Sequence, residues 1–224
     1  MGLALAVPLP GWNVRGYSFM ERTEDGRLHP GLDLNIGAGD EDLGRDVVAF
    51  SSGVVVARLP WDGRTYGYGN RLLVQHDWPD FHCGTLYAHL SEFDGSIAEG
   101  AAVAAGQRLA ACGKSGLQTW AHLHFELRYV GPPAMGLDYW GGRLSVGEIV
   151  SRYADPGTAL RWAALLGAME PALPADCSEI RADRDYNYAL KMAMEGQVRG
   201  MERAGRRSGW RPGATDALIA GVSR

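Results

Sequence analysis

Between Leu28 and Val130 the chain is written in short apolar runs: VVAF, GVVVARL, NRLLVQH, GTLYAHL, QRLAAC and HLHFELRYV. Ten glycines, from Gly53 to Gly116, punctuate this stretch. Runs of this length with alternating apolar and polar residues are strands, and frequent turn signals leave no room for long helices. Helical spacing is absent here. The expected fold of this part is mainly β, a compact antiparallel β sandwich or barrel with a groove on one sheet.

The character changes after Pro132 and Pro133. Asp155-Pro156 reads as an N-cap followed by proline at the first helical position, with Gly167 as a stop, so a helix is expected from Pro156 to Leu166. A second helix is expected over Glu179 to Arg203, where Leu190, Met194, Val198 and Met201 form a packing stripe. The chain thus divides into an irregular lead-in (1–27), a β domain (28–139) and a helical C-terminal extension (140–224). At 224 residues, one main core is affordable. In the lead-in, GYSF and the Glu-Asp-Gly turn are placed to line one rim of the groove.

The net charge of −4 is mild, and Lys114 and Lys191 are the only lysines. No basic run or interleaved aromatic patch points to nucleic acid. Residues after Tyr139 carry +2 and those before them −6, which favours the tail lying on the β domain. Cys83, Cys112 and Cys177 make an odd count without metal spacing, so no disulfide framework is implied. No apolar stretch is long enough to span a membrane. MGLALAVPLPGW lacks a charged start and is cut by Pro8 and Pro10, so it does not read as an export signal.

The chemistry lies in the histidines. Four of six fall in three motifs: HPGLDL from His29, LYAHLS around His89, and AHLHFELR around His122 and His124. Pro30 and Gly31 make the first a poor helix interior, so His29 and Asp33 belong to a loop entering a strand. In HLHFELR, His122, His124 and Glu126 share one strand face while Leu123, Phe125 and Leu127 face the other. One imidazole of that pair can bind metal while the other meets water or substrate. Two His and one Asp match the three N/O ligands usual for catalytic zinc, which keeps a fourth position for water. Glu126 reads equally well as an orienting group or as a strand carboxylate in an ion pair. His76 in LVQHDW reads as structural, and His82 as an exposed hairpin residue.

HPGLD, the GYGN ending at Asn70, TLYAHL from Thr85, the GKSG turn from Gly113 and HLHFE, in that order, resemble the signature of the lysostaphin/LytM-type zinc endopeptidases. The similarity runs from Leu28 to Arg128. It implies one zinc ion per chain, held by His29, Asp33 and His124, with His89 and His122 as catalytic residues beside the metal. It also implies a peptidoglycan peptide as substrate, either a cross-bridge or a stem peptide, and action at the cell wall. Subsites are expected on loops 37–44, 59–69 and 117–121. The expected reaction is amide hydrolysis, with His89 and His122 kept neutral by the nearby dication. No H-E-x-x-H helix supplies a glutamate base, so the imidazoles must serve. Two other classes compete with this reading. A non-catalytic cell-wall-binding or activator module of the same fold is disfavoured by the complete ligand set. A lipoyl- or biotinyl-type carrier, suggested by AFSSGVVVA and EGAAVAAGQRLA, needs an exposed lysine at a hairpin tip, a setting neither Lys114 nor Lys191 has.

Overall fold

A computed structural model describes residues 4–64, 67–78, 81–129 and 145–169. Among these residues it contains eleven strands and two helices. The strands are β1 (Val14–Arg15), β2 (Leu32–Asn35), β3 (Asp46–Val48), β4 (Gly53–Leu59), β5 (Asn70–Trp78), β6 (Phe81–Leu90), β7 (Glu92–Phe93), β8 (Ala102–Val103), β9 (Arg108–Ala111), β10 (Leu123–Tyr129) and β11 (Tyr153–Ala154). The helices are α1 (Val146–Arg152) and α2 (Pro156–Met169). The expected antiparallel β architecture is therefore what forms.

The larger sheet runs β1-β2-β10-β6-β5-β4-β8, with β11 also paired to β10, and a smaller one runs β3-β9-β7. Period-two alternation sorts the residues of the large sheet. Leu32, Leu34, Leu72, Val74, Tyr87, Leu123 and Phe125 face inward, and pack with Val47, Leu109 and Ala110 from the small sheet into the main core. The opposite face carries a smaller cluster of Ala57, Leu73, Leu86 and Ala88 joined by Tyr68. The polar residues of β2 and β10 emerge on that second face.

His76 is structural, as expected. It is fully buried, with Nδ1 2.9 Å from the Ser52 carbonyl and Nε2 2.8 Å from Thr85 Oγ1. Thr85 in turn donates to the Tyr87 hydroxyl, which accepts from the Phe50 amide. Cys83 and Cys112 are buried free thiols. The side chain of His82 lies outside the described residues, as do Cys177, the second expected helix and its methionine stripe.

The helix expected from Pro156 forms as α2 with its expected cap, Asp155 Oδ1 accepting from the Gly157 amide and Oδ2 from the Thr158 hydroxyl, whereas α1 before it was not expected. The α2 helix does not stop at Gly167 but continues to Met169; one glycine costs a helix only about 1 kcal/mol and ends it only when the next turn has no reason to form. Leu160 and Ala163 of α2 are buried in the main core. The lead-in is more ordered than the sequence suggested. β1 pairs with β2, Leu5 bridges to Ser51, and Leu9 is fully buried. Among the described residues, no helix is long and apolar enough to cross a membrane.

Candidate metal centre and active site

Asp33 and His124 are direct cross-strand partners in the β2/β10 pair, so both side chains leave the same face of the sheet. His29 reaches them from the loop before β2. That loop is tied to the lead-in by the His29 amide donating to the Glu21 carbonyl and the Met20 amide to the His29 carbonyl, each at 2.8 Å. His124 Nδ1 lies 2.9 Å from His29 Nε2 and 2.9 Å from Asp33 Oδ1, and His29 Nε2 is 3.1 Å from Asp33 Oδ1. All three residues are buried. Three lone-pair atoms aimed at one point repel each other unless a cation or proton sits among them. Zinc bonds of about 2.0–2.1 Å set tetrahedral ligand atoms about 3.3 Å apart, close to the observed separations. The donor set therefore fits a zinc ion, and among the described residues it is the group able to hold a metal.

The tautomers are fixed from behind. His29 Nδ1 is 3.3 Å from the Ser18 carbonyl, and His124 Nε2 is 2.9 Å from Glu126 Oε1. A ring nitrogen that donates backwards leaves the other with its lone pair toward the metal position. Glu126 fits both readings, since it stands behind the His124 ring and forms an ion pair with Arg128. It is fully buried, accepts from Arg128 Nε at 2.5 Å, and also accepts from the Tyr68 hydroxyl. The sequence reading had not assigned Tyr68 or Arg128 to the site. The signal for Arg128 was present, because His124, Glu126 and Arg128 continue the same alternation; Tyr68 carried none beyond its place in GYGN.

His89 and His122 stand beside this cluster. Their ring centres are 4.6 Å apart, and the His89 ring is 5.7 Å from that of His124. His122 Nε2 is 3.9 Å from Asp33 Oδ1. His89 ends β6 in the left-handed region, at φ +62°, a conformation costing a non-glycine residue of order 1–3 kcal/mol. Surrounding bonds impose it. The His89 amide donates to the Tyr68 carbonyl at 2.8 Å, and its Nδ1 lies 3.0 Å from the Ser115 carbonyl. Ser115 also accepts from the Asn70 amide and donates to the Leu90 carbonyl. The GYGN and GKSG turns thus interlock to seat His89. A Cβ at Gly116 would lie 2.0 Å from the Gly67 carbonyl oxygen, which is why that contact needs glycine. His122 is held by its Nδ1, 3.1 Å from the Trp120 carbonyl, and by its amide donating to the Gly113 carbonyl. Loop 37–44 does not line the groove. It instead steadies the loop before His122, through Asp40 accepting from Lys114 at 2.7 Å and from the Ala121 amide at 2.8 Å.

The charges follow from burial and pairing. Burial, reinforced by His122 and His124, pushes the His89 imidazole well below its usual range. The expected neutrality of this residue thus has a cause that needs no metal. Burial would also lower His124, but its hydrogen bonds to Asp33 and Glu126 outweigh it and raise the ring to about 9. Burial would raise Asp33, yet His29 and His124 hold its carboxyl well below the ordinary value. Glu126 is likewise opposed by burial but lowered to about 2, chiefly by Arg128.

An open groove of 780 Å³ passes over the cluster. Tyr17, Glu21 and the turn from Thr23 to Asp25 form one wall, as expected of the lead-in, and Gly67, Tyr68 and Gln118 to Trp120 lie on the other. Trp120 is 59% exposed, leaving an aromatic face available to an extended substrate.

Residues 27–135 match the family model of peptidase family M23. Among solved structures, the antimicrobial peptidase lysostaphin from Staphylococcus simulans is 26% identical, with a TM-score of 0.51 and a match covering 71% of this chain and 53% of that one. A zinc-containing peptidase from Vibrio cholerae is 23% identical, TM-score 0.45, covering 57% and 36%. The catalytic domain of a point mutant of the prophage-encoded M23 protein EnpA from Enterococcus faecalis is 27% identical, TM-score 0.44, covering 58% and 89%. The chain therefore spans about half of lysostaphin and about a third of the Vibrio protein. No curated protein matches it. Residues 27–135, which hold His29, Asp33, His89, His122 and His124, are thus the part of the chain that is similar to peptidase family M23.

Proposed function

We propose that the protein is a zinc endopeptidase hydrolysing peptide bonds in bacterial peptidoglycan, with His29, Asp33 and His124 as metal ligands and His89 and His122 as catalytic residues. The observation that carries this reading is the convergence of a three-atom ligand set and two further imidazoles on the floor of one open groove. The match of residues 27–135 to peptidase family M23, and the likeness to lysostaphin, support a peptidase acting at the cell wall.

When bound, zinc supplies a Lewis acid that polarises a carbonyl and acidifies water. The side chains do the rest. A peptide lying extended between the Tyr17 wall and the Gln118–Trp120 wall brings its amide over the His29, Asp33 and His124 cluster. His89 is seated with Nδ1 toward the Ser115 carbonyl and is neutral at working pH, so its Nε2 is free to accept a proton. His122 turns Nδ1 toward the Trp120 carbonyl, which leaves its Nε2 3.9 Å from Asp33 Oδ1. Of this imidazole pair, one takes the proton of the attacking water and the other faces the developing oxyanion. Asp33 and Glu126 stay ionised and fix the surrounding rings.

The test is digestion of purified cell walls of defined cross-bridge types, with mass spectrometry of the released fragments. Zinc-loaded protein should generate new peptide amino termini, and His124→Ala should generate none. If zinc-loaded parent protein releases no fragment from any wall type, the enzyme reading fails and a wall-binding module is favoured.

A further inference from the structure

We propose that the segment following the family domain is built into the metal centre: Tyr153, on β11, is a positioning residue that keeps the Arg128–Glu126–His124 line buried and thereby sets the metal affinity. This rests on the metal-centre reading above.

The line begins on one strand. His124, Glu126 and Arg128 leave β10 on the same face in steps of two. His124 can turn Nδ1 toward His29 and Asp33 only while Nε2 has an acceptor behind it, and that acceptor is Glu126. Glu126 has no exposed surface, so its ionised form depends on a cation equally shielded from water. Arg128 is that cation. It is itself fully buried, and a buried guanidinium is costly unless its surroundings compensate. Nε donates to Glu126, and Nη2 lies 3.3 Å from the Tyr68 hydroxyl. Its central carbon sits 5.8 Å from the Tyr68 ring centre and 5.5 Å from the Tyr153 ring centre. Arg128 is therefore flanked by two aromatic rings, an arrangement that favours a desolvated cation.

Only one of those rings comes from the family domain. The family match ends at residue 135, and Tyr153 lies beyond it. The sheet makes the dependence specific. β2 pairs with β10 over Leu123 to Phe125, whereas the same edge farther along is taken by β11, with Arg128 directly opposite Tyr153 and Leu127 opposite Ala154. Directly opposed residues are the closest side-chain neighbours in a sheet. Without β11 that length of β10 is an open edge. Water then reaches Arg128, its grip on Glu126 weakens, and the constraint on the His124 ring loosens. Partners that orient a metal-binding histidine typically matter by 10- to 100-fold in metal affinity.

The experiment compares three variants of the full chain. Zinc affinity is read by competition with a chromophoric chelator, and the visible spectrum of the cobalt-substituted protein reports ligand geometry. Tyr153→Leu should weaken zinc binding by about tenfold or more and shift the cobalt bands. Tyr153→Phe, which keeps the ring, should retain parent affinity. Leu160→Ala removes a core contact of α2 away from this line, and should lower the melting temperature without changing either metal readout. If Tyr153→Leu does not fold, Tyr153→Met, closer in volume, takes its place in the same comparison. Parent affinity and an unshifted cobalt spectrum in the Leu or Met variant, with a melting loss like that of Leu160→Ala, would overturn the proposal by showing Tyr153 to be packing alone. Failure of the parent chain to take up zinc is a distinct result, and it removes the metal-centre reading and this inference together.

Discussion

Gly31 is the position where the geometry makes the sharpest demand. It sits between the proposed ligands His29 and Asp33, and its φ is not in the left-handed region, so alanine there is not barred by backbone conformation. The obstacle is space. A Cβ would lie 2.6 Å from the Phe125 carbonyl oxygen and 2.9 Å from both Glu126 Cγ and His124 Cε1. Unstrained carbon contacts need about 3.5 Å, leaving a shortfall of roughly 0.6–0.9 Å. The Phe125 carbonyl belongs to a central strand and cannot retreat cheaply, so the loop must lift instead, carrying His29 and Asp33 away from His124. Metal–ligand distances tolerate only about 0.2 Å, and a displacement near 1 Å costs on the order of 10²-fold in rate. Gly31→Ala is therefore expected to lose zinc affinity and about 10²-fold or more of turnover, with an overpacking cost of about 1–3 kcal/mol in stability. Chelator competition, wall-peptide turnover and thermal melting measure the three effects separately. Parent-like zinc affinity and turnover in a folded Gly31→Ala would refute the argument that this contact sets the ligand geometry.

Substitution of the two flanking imidazoles and changes of pH have their own expected outcomes. His89→Asn, chosen because asparagine tolerates positive φ, and His122→Ala should each keep zinc while losing on the order of 10²-fold or more in turnover; parent rates in both would remove these residues from the chemistry. Zinc uptake should also be linked to protons. His124 is raised to about 9 without metal, so below that pH its Nδ1 proton must leave when zinc binds. Zinc affinity should rise about tenfold per pH unit from neutrality to about 9 and then level off, and a flat profile over that range would contradict it. In the metal-free protein, the same raised value contributes stability that is complete below the unfolded-state value and is lost as the pH climbs through 9. The lowered His89 acts oppositely, contributing above the ordinary histidine range and losing that contribution as the solution is acidified.

The sequence was most legible where local periodicity decides the structure. The alternation in HLHFELR put Leu123 and Phe125 in the core and His124 on the other face, and the Asp155-Pro156 pair marked a helix start because cap chemistry is local. What it left open depended on residues far apart in the chain. Glu126 reads equally as a strand carboxylate in an ion pair or as an orienting group, and with Arg128 on one side and His124 on the other it is placed for both. The glycines of GYGN and GKSG could be recognised as turn signals, but not as two surfaces in contact, since Gly67 and Gly116 meet only after the sheet has formed. The groove wall supplied by the lead-in was anticipated in outline, whereas the part of loop 37–44 in steadying the His122 loop through Asp40 was not. Gly167 misled because a glycine weakens a helix without dictating its end.

One physical contrast ties these results together. The inner face of the large sheet is apolar and stabilising, whereas the face bearing the ligands concentrates costs: a left-handed His89, a buried Glu126–Arg128 pair and three lone-pair atoms in mutual contact. Each cost is offset locally, by the Ser115 and Tyr68 carbonyls around His89 and by the two tyrosine rings around Arg128. The convergence of His29, Asp33 and His124 is different. Within the protein only a shared proton relieves it, through the raised His124 ring. A divalent cation relieves it better, because it satisfies all three atoms at once. Under the proposed zinc reading, the same strain that makes the cluster expensive to fold is what would give it affinity for a metal, and the supports behind His124 would decide how much of that affinity survives.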